Sequence, residues 1–282
     1  MKDLIDLYQF EFFRNGVIVA TVAGALCGFV GVYVVLRNMS YIGHGMSHAI
    51  FGGFAASALL GVNYLLGAGV WGLASALAIV AITRRRGLGS DAVIGVITTA
   101  SFAVGLILGD LFHGPKQNFD AALFGSILGI SDSDLVAMIL VSLFALVVVF
   151  FGYRRLLFST FDPEVAALSG VATARVDALL MLVLATVILA TMTVLGVTLL
   201  AAALVIPPTI ARMLTSSFSR MLWLATLIGG VCGFVGMNLS GWQDWKSGPS
   251  IVLVSAAAFT LTLALTGPKR LRRTAALDVH VG

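Results

Sequence analysis

Two histidines, His44 and His48, are the residues in this sequence whose types and spacing best suit chemistry. They lie four residues apart in the stretch GHGMSHA at 43–49. Residues at this spacing occupy one face of a helix, and neutral imidazole is a good ligand for Zn²⁺ and other late divalent metals. The alternative is that both rings hydrogen-bond to helix backbone and only pack. The pair favours a metal site over packing.

The same pattern argues against a metalloprotease and a closed structural zinc site. The protease motif HExxH requires Glu directly after the first histidine as general base, and Gly45 occupies that position. A structural zinc site is closed by a full set of protein ligands. Two ligands would bind an ion without trapping it, as transport requires. In a symmetric homodimer, a pair near the axis would become four histidines.

A second group of residues predicts a short helix with defined ends in the stretch 161–171, FDPEVAALSGV. Asp162 is a good N-cap, Pro163 suits the first helical position and Glu164 favours the positive end of the helix. Gly170 supplies a C-terminal stop. The helix, of roughly seven residues and about 10 Å, is either an ordinary interfacial helix or a rigid knob that docks on a partner protein.

A third feature is the pair Pro207 and Pro208 inside an apolar stretch. Two consecutive prolines remove two backbone donors and predict a kink in the helix. The kink would serve packing or would line a path through the molecule.

No phosphate-binding loop GxxxxGK[ST] occurs in the sequence, so the chain is not expected to hydrolyse ATP itself.

Composition indicates that these residues are positioned by helices in a membrane. The 282 residues are 59% hydrophobic and 11% charged, with a mean hydropathy of +1.04, whereas soluble domains carry roughly 25% charged residues. Most of the exterior must therefore face membrane lipid. The whole chain, 1–282, is expected to form one membrane domain. Ionisable residues inside membrane segments are rare and usually functional, which strengthens the metal interpretation of the histidines. The sequence has no basic stripe with interleaved aromatic residues, so it does not indicate nucleic-acid binding.

Nine apolar stretches approach the roughly 20 residues needed to cross the hydrocarbon core. They are 17–36, 48–66, 68–83, 91–109, 135–152, 177–195, 197–213, 221–239 and 250–266. The sequence thus predicts an all-α polytopic membrane protein with eight or nine transmembrane helices. Residues 1–16 predict an interfacial helix, and 119–129 predict a re-entrant or interfacial piece.

The basic residues predict the topology. If nine segments cross, 13 of the 17 Lys and Arg residues fall on one side of the membrane. The other side has Lys2, Arg14, Lys116 and Lys246. The positive-inside rule makes the richer side cytoplasmic. It includes the loop with Asp162 and a cytoplasmic tail at 267–282. The N-terminus is outside for nine crossings and inside for eight.

Taken together and in this order, these stretches resemble the permease family of ABC importers for zinc, manganese and iron. The resemblance covers nearly the whole chain. The matching stretches are 37–49, 90–95, 161–171, 196–212 and 247–253. The first contains the Arg, Met-Ser and Ser-His-Ala of the family motif, and the last begins with Ser-Gly-Pro.

The resemblance implies an architecture related to type II, vitamin B12-type, ABC importers in the bacterial cytoplasmic membrane. It also implies a second copy of the chain, cytoplasmic ATPase subunits that contact 162–171, and an extracytoplasmic metal-binding protein. No permanently bound cofactor is implied; Zn²⁺ or Mn²⁺ is cargo. In the family an Asp and a His four residues apart coordinate the passing cation. The His matches His48, but His44 replaces the Asp, and imidazole favours Zn²⁺ over Mn²⁺.

Two other classes of function remain as alternatives. A secondary metal transporter driven by an ion gradient needs buried carboxylates, but Asp91, Asp134 and Asp177 fall at predicted segment ends. A membrane enzyme would need a nucleophile and base that meet. Ser47 and His48 are adjacent, and adjacent helical residues do not face each other. We therefore expect a transporter subunit and not an enzyme.

Overall fold

The computed structural model describes residues 4–86, 90–111, 123–125 and 132–278. Within these ranges the chain is almost entirely helical. The helices are α1 (Leu4–Leu7), α2 (Glu11–Leu36), α3 (Ser40–Leu60), α4 (Tyr64–Arg86), α5 (Ser90–Leu111), α6 (Asp132–Phe161), α7 (Pro163–Leu168), α8 (Thr173–Leu195), α9 (Leu200–Leu214), α10 (Phe218–Gln243) and α11 (Ser247–Asp278).

The helices confirm the prediction of an all-α polytopic membrane protein. Six of them, within the described residues, contain stretches long and apolar enough to cross a membrane, and Ala92–Leu108 and Leu200–Leu214 are shorter apolar helices. Each of the nine predicted stretches overlaps a different helix among α2 to α6 and α8 to α11, although 48–66 runs past the end of α3 into the first residues of α4. Hydropathy predicts these elements well because lipid exposure requires apolar side chains around most of each helix.

Several helix bounds differ from those predicted. Residues 1–16 do not form one helix: α1 is a single turn, Phe10 is extended, and Glu11 begins the 26-residue α2. Glu11 suits that position because a carboxylate stabilises the positive end of a helix. α3 begins at Ser40, before the predicted 48, and α11 continues to Asp278, through most of the predicted tail. Of the predicted piece 119–129, only 123–125 lies within the described residues.

Helix α2 lies at the centre of the bundle and packs most extensively on α10. The two backbones approach closely because small residues face each other. A Cβ on Gly24 would overlap the Gly229 carbonyl, and one on Gly28 would overlap the carbonyl of Ala225. Close approach through small residues is typical of helix pairs in membranes, where packing replaces the hydrophobic effect.

Polar contacts between distant residues identify the two ends of the bundle. At one end Arg37, after α2, contacts Thr160 near the end of α6 and Asp177 near the start of α8. At the other end, the Thr198 hydroxyl, just before α9, donates to the Leu123 carbonyl. Phe124 and Gly125 pack closely against Ser247 and Gly248 at the start of α11. The ends of α2 and α6 therefore lie together with the start of α8, as a common cytoplasmic side requires.

Helix α9 runs from Leu200 to Leu214 through Pro207 and Pro208, both buried. Pro208 cannot donate to the carbonyl of Leu204, four residues earlier. This carbonyl instead faces Gly31 of α2, where a Cβ would overlap it. The proline pair thus frees a carbonyl at the point where α9 and α2 approach each other most closely.

Candidate metal site

His44 and His48 lie one turn apart on α3, and their side chains meet. The two Nε2 atoms are 3.1 Å apart, and the ring centroids are separated by 4.3 Å with the rings nearly perpendicular at 89°. Both residues are half-buried. His48 is roughly 12 Å along the helix axis from Ser40, at a rise of about 1.5 Å per residue.

The arrangement of the two nitrogens suits a shared metal ion. Two imidazole nitrogens bound to one tetrahedral Zn²⁺ at about 2.0–2.1 Å lie roughly 3.3 Å apart. The observed 3.1 Å separation between Nε2 atoms is close to this value. Among the described residues, no group of three or more His, Cys, Asp or Glu side chains could hold a metal. The described part of the chain therefore offers a pair of ligands.

Helix α5 supports the His48 ring. Phe102 packs against it with 4.3 Å between ring centroids. The two helices approach closely because Gly45 and Gly52 face α5: a Cβ on Gly45 would come within 2.7 Å of Ile94, and one on Gly52 within 2.8 Å of the Ser101 hydroxyl. Glycine on α3 thus brings Phe102 into contact with the imidazole and limits the orientations of the ring.

The other polar atoms near the pair are informative about its chemistry. The Ser47 hydroxyl donates to the His44 carbonyl at 2.8 Å, so Ser47 does not form a nucleophile and base pair with His48. Nδ1 of His48 is buried and has no hydrogen-bond partner among the described residues. The two Nε2 atoms are within hydrogen-bonding distance of each other, so one donates to the other, and an ion held by both would take the place of that proton.

Helix α9 approaches the site from the other side of α3. A Cβ on Gly43 would come within 2.9 Å of the Leu204 side chain. Helix α9, which contains Pro207 and Pro208, is therefore packed against the start of α3. The helices that carry two of the three residue groups singled out in the sequence are in contact here, through Gly43 and Leu204.

The third group, Asp162 to Gly170, lies at the end of the bundle where Arg37 meets Asp177. Asp162 caps α7: its Oδ1 accepts a hydrogen bond from the Val165 N–H at 2.9 Å. Gly170 has a φ of +83° and follows the helix directly. Its conformation turns the chain so that the N–H of Val171 donates to the carbonyl of Ala166 at 3.0 Å.

Sequence reasoning missed the exposed apolar face of α7. Ala166 is buried against the protein, whereas Val165 and Leu168 are exposed, and Leu168 is 89% exposed. Their spacing of three residues was the available signal, because such residues share a helix face. Phe161, the last residue of α6, is also exposed. Sequence reasoning used Arg37 only for the topology and for the family resemblance, although its guanidinium pairs with the Asp177 carboxylate at 2.7 Å.

Comparison with known proteins agrees with this fold. The ABC 3 transport family model matches residues 9–266. The manganese transport system membrane protein MntC of Halalkalibacterium halodurans is 33% identical over 256 residues, which cover 91% of this chain and 88% of the relative.

Two solved structures are similar to the chain. One is described as PsaBC from Streptococcus pneumoniae in complex with Fab, with a TM-score of 0.84 and 31% identity over 93% of this chain and 94% of that one. The other is an inward-facing metal-chelate type ABC transporter, with a TM-score of 0.74 and 15% identity over 89% and 85% of the two chains, which supports the fold alone. The chain belongs to the ABC 3 transport family.

Proposed function

We propose that this chain is the membrane-spanning subunit of an ATP-driven importer that moves a divalent transition metal, Zn²⁺ or Mn²⁺, across the bacterial cytoplasmic membrane. The observation that carries this proposal is the pair of imidazole Nε2 atoms 3.1 Å apart on α3, in a chain of the ABC 3 transport family. A half-buried pair of metal-binding nitrogens among membrane helices suits a passing cation, because intramembrane ionisable groups usually mark an ion path.

An incomplete ligand set supports transport over storage of the ion. A second copy of the chain would supply another His44 and His48 and complete a site of four nitrogens. Because those ligands would come from two protomers, a relative movement of the protomers would open the site and release the ion. The metal ion is thus the cargo of the transporter and not a resident cofactor.

Ligand chemistry and the relatives favour different ions. The relative MntC is named for manganese transport. His44, however, supplies a neutral nitrogen where the family has a carboxylate, and imidazole sites favour Zn²⁺ over Mn²⁺. We expect the imidazole pair to bind Zn²⁺ more tightly than Mn²⁺, and the transported ion is settled by the experiment below.

The energy source is proposed to be ATP hydrolysed on separate cytoplasmic subunits, supplied with metal by an extracytoplasmic binding protein. The support is the family, the absence of a phosphate-binding loop from the sequence, and α7. The exposed Val165 and Leu168 of α7, with Phe161 at the end of α6, offer an apolar surface to a partner. Asp162 and Pro163 define the start of this helix, Glu164 lies on its exposed surface, and Gly170 lies in the turn that follows it.

The proposal is tested by elemental analysis of cells that co-express the chain with its ATPase and binding protein. A selective rise in zinc or manganese that is lost in His48→Ala is expected. If a well-folded complex hydrolyses ATP without any rise in metal, the cargo is something else.

A protonophore distinguishes the alternative of a gradient-driven transporter. Uptake driven by ATP persists when the proton gradient collapses and ATP is still supplied, whereas gradient-driven uptake stops. Asp134 is buried, but it and Asp177 lie in the first two turns of α6 and α8, near the helix ends. Their positions support the ATP-driven mechanism, because a coupling carboxylate is expected deeper in the membrane.

A further inference from the structure

The Arg37 side chain joins the two ends of the segment that carries α7. Its Nη1 donates to the Asp177 carboxylate at 2.7 Å, and its Nε donates to the Thr160 hydroxyl oxygen at 3.0 Å. Thr160 lies two residues before the Asp162 cap of α7, and Asp177 lies in the second turn of α8. One guanidinium at the end of α2 therefore holds both the chain that enters α7 and the chain that leaves it.

The contact is well suited to persist while the helices move. The Arg37 side chain is 9% exposed and that of Asp177 is 29% exposed. The Thr160 hydroxyl donates to the Leu156 carbonyl at 2.6 Å and keeps a lone pair for the guanidinium. A charge buried to this extent retains its partner, because an unpaired buried charge is strongly unfavourable. Arginine also presents several donors in one rigid plane, which lysine does not.

A rigid junction connects Arg37 to the histidine pair. After α2, Asn38 adopts a left-handed conformation with φ of 55°, and the Met39 N–H donates to the Val34 carbonyl at 2.9 Å. This closed turn leads directly into α3 at Ser40, and His44 is one turn further on. A displacement of the guanidinium is thus passed to the start of the helix that carries the candidate metal ligands.

A cavity of about 280 Å³ lies beside this contact. Its lining includes Arg37, Thr83, Ser159 and Pro163, the first residue of α7. The Nη2 of Arg37, Oγ1 of Thr83 and Oγ of Ser159 are buried without a partner among the described residues. The rest of the lining is mostly apolar and includes Ile79, Val80 and Met181. The open space beside Pro163 leaves room for the start of α7 to shift.

We propose that Arg37 is a positioning residue for transport, which passes the movement of α7 to α3 and so opens or closes the histidine pair. This inference rests on the proposed function, because it needs an ATPase that moves α7. It goes beyond that function by assigning a role to a residue that contacts neither the metal ligands nor the outward face of α7.

The test is the number of metal ions transported per ATP in proteoliposomes that contain the permease with its ATPase. We expect Arg37→Gln to lower this ratio by about tenfold, in the range of coupling between distant sites. Zinc affinity of the solubilised complex, measured by equilibrium dialysis, should stay within about twofold of the wild-type value, well below the expected loss of coupling. A purely structural role would instead reduce assembly or zinc binding. Arg155→Gln, an exposed arginine at the same end of α6, is the matched control and should keep the wild-type ratio.

Two further comparisons identify the partners of Arg37. Arg37→Lys keeps the charge but cannot hold both partners, so the ratio should remain below wild type. If Arg37 acts through Asp177, the double variant Arg37→Gln with Asp177→Asn should be no worse than either single variant, whereas independent effects would multiply. Should Arg37→Gln fail to assemble, Thr160→Val carries the test, because it keeps the ion pair and nearly the same shape.

Wild-type ratios in both Arg37→Gln and Thr160→Val would overturn the proposal, as would an equal loss in Arg155→Gln. The wild-type measurement separates this proposal from the proposed function. If the wild-type complex moves neither zinc nor manganese, the proposed function has failed. If it moves metal and the Arg37 variants remain fully coupled, only the role of Arg37 has failed.

Discussion

At the scale of single residues, ring shape and ring nitrogens have separable consequences in the histidine pair. Packing against Phe102 and against the neighbouring imidazole requires a flat ring. Metal binding requires Nε2. A substitution that keeps the ring and removes the nitrogens therefore distinguishes the two interpretations of His48.

We expect His48→Phe to abolish metal binding and uptake while the fold is kept. The phenyl ring can keep the contact with Phe102. The substitution loses the contact between the two Nε2 atoms but also removes a buried Nδ1 that lacks a partner among the described residues, so thermal stability should change by only about 1 kcal/mol. Equilibrium dialysis with Zn²⁺ and thermal unfolding in detergent measure the two effects. Normal zinc binding by the variant would assign the ring to packing alone.

His44→Asp should shift the preference of the site towards Mn²⁺. A carboxylate is the ligand type that the resemblance to the permease family implies at this position, and hard oxygen ligands favour Mn²⁺ relative to imidazole. We expect the ratio of Mn²⁺ to Zn²⁺ affinity to rise by about tenfold, as measured by competition between the two ions. Ser47→Ala is the control, since its hydroxyl contacts only the helix backbone. An unchanged ratio would mean that His44 does not ligate the ion.

At the scale of elements, the end of α7 depends on the conformation of Gly170. Nothing lies within 4 Å of a Cβ built at this glycine, so space is available, but its φ of +83° disfavours other residues. Valine should cost ~1–2 kcal/mol there, whereas asparagine visits this region readily. We expect Gly170→Val to reduce ATPase copurification and Gly170→Asn to retain it. Equal copurification of both variants would show that the turn after α7 is not needed for the contact.

The exposed face of α7 makes a separate prediction. Leu168 is 89% exposed, so Leu168→Ala should leave the stability of the isolated chain nearly unchanged. A partner that buries this side chain would lose roughly 1.5–3 kcal/mol of apolar contact, and the ATPase should dissociate faster in surface plasmon resonance. Phe151→Ala, at an 82% exposed position on α6, is the control. Dissociation rates that do not change would place the partner elsewhere.

At the scale of the whole molecule, the bundle depends on the close pairing of α2 and α10. Gly229→Ala would direct a methyl group into the Gly24 carbonyl and should force the helices apart. Gly95→Ala on α5 meets no atom within 4 Å, and alanine favours a helix over glycine by ~0.5–1 kcal/mol. Thermal unfolding in detergent should therefore show a lower midpoint for the first variant and an equal or higher one for the second. Equal midpoints would contradict the packing.

Features that depend on neighbouring residues could be predicted from the sequence. The apolar stretches predicted the long helices, because membrane exposure acts on every turn of each helix. The four-residue spacing of His44 and His48 predicted that their rings share a face, and Asp162 and Gly170 predicted the ends of α7. The start of α3 was misjudged, since the polar stretch before residue 48 is helical but not uniformly apolar.

Contacts between residues distant in the chain were decided only by the tertiary structure. Arg37 meets Thr160 and Asp177 across separations of 123 and 140 residues, and no local pattern indicates which basic residue turns inwards. The support of His48 by Phe102 and the pairing of Gly24 with Gly229 are of the same kind. Many phenylalanines and glycines in this sequence are locally alike, and only the packing of whole helices against one another selects which of them meet.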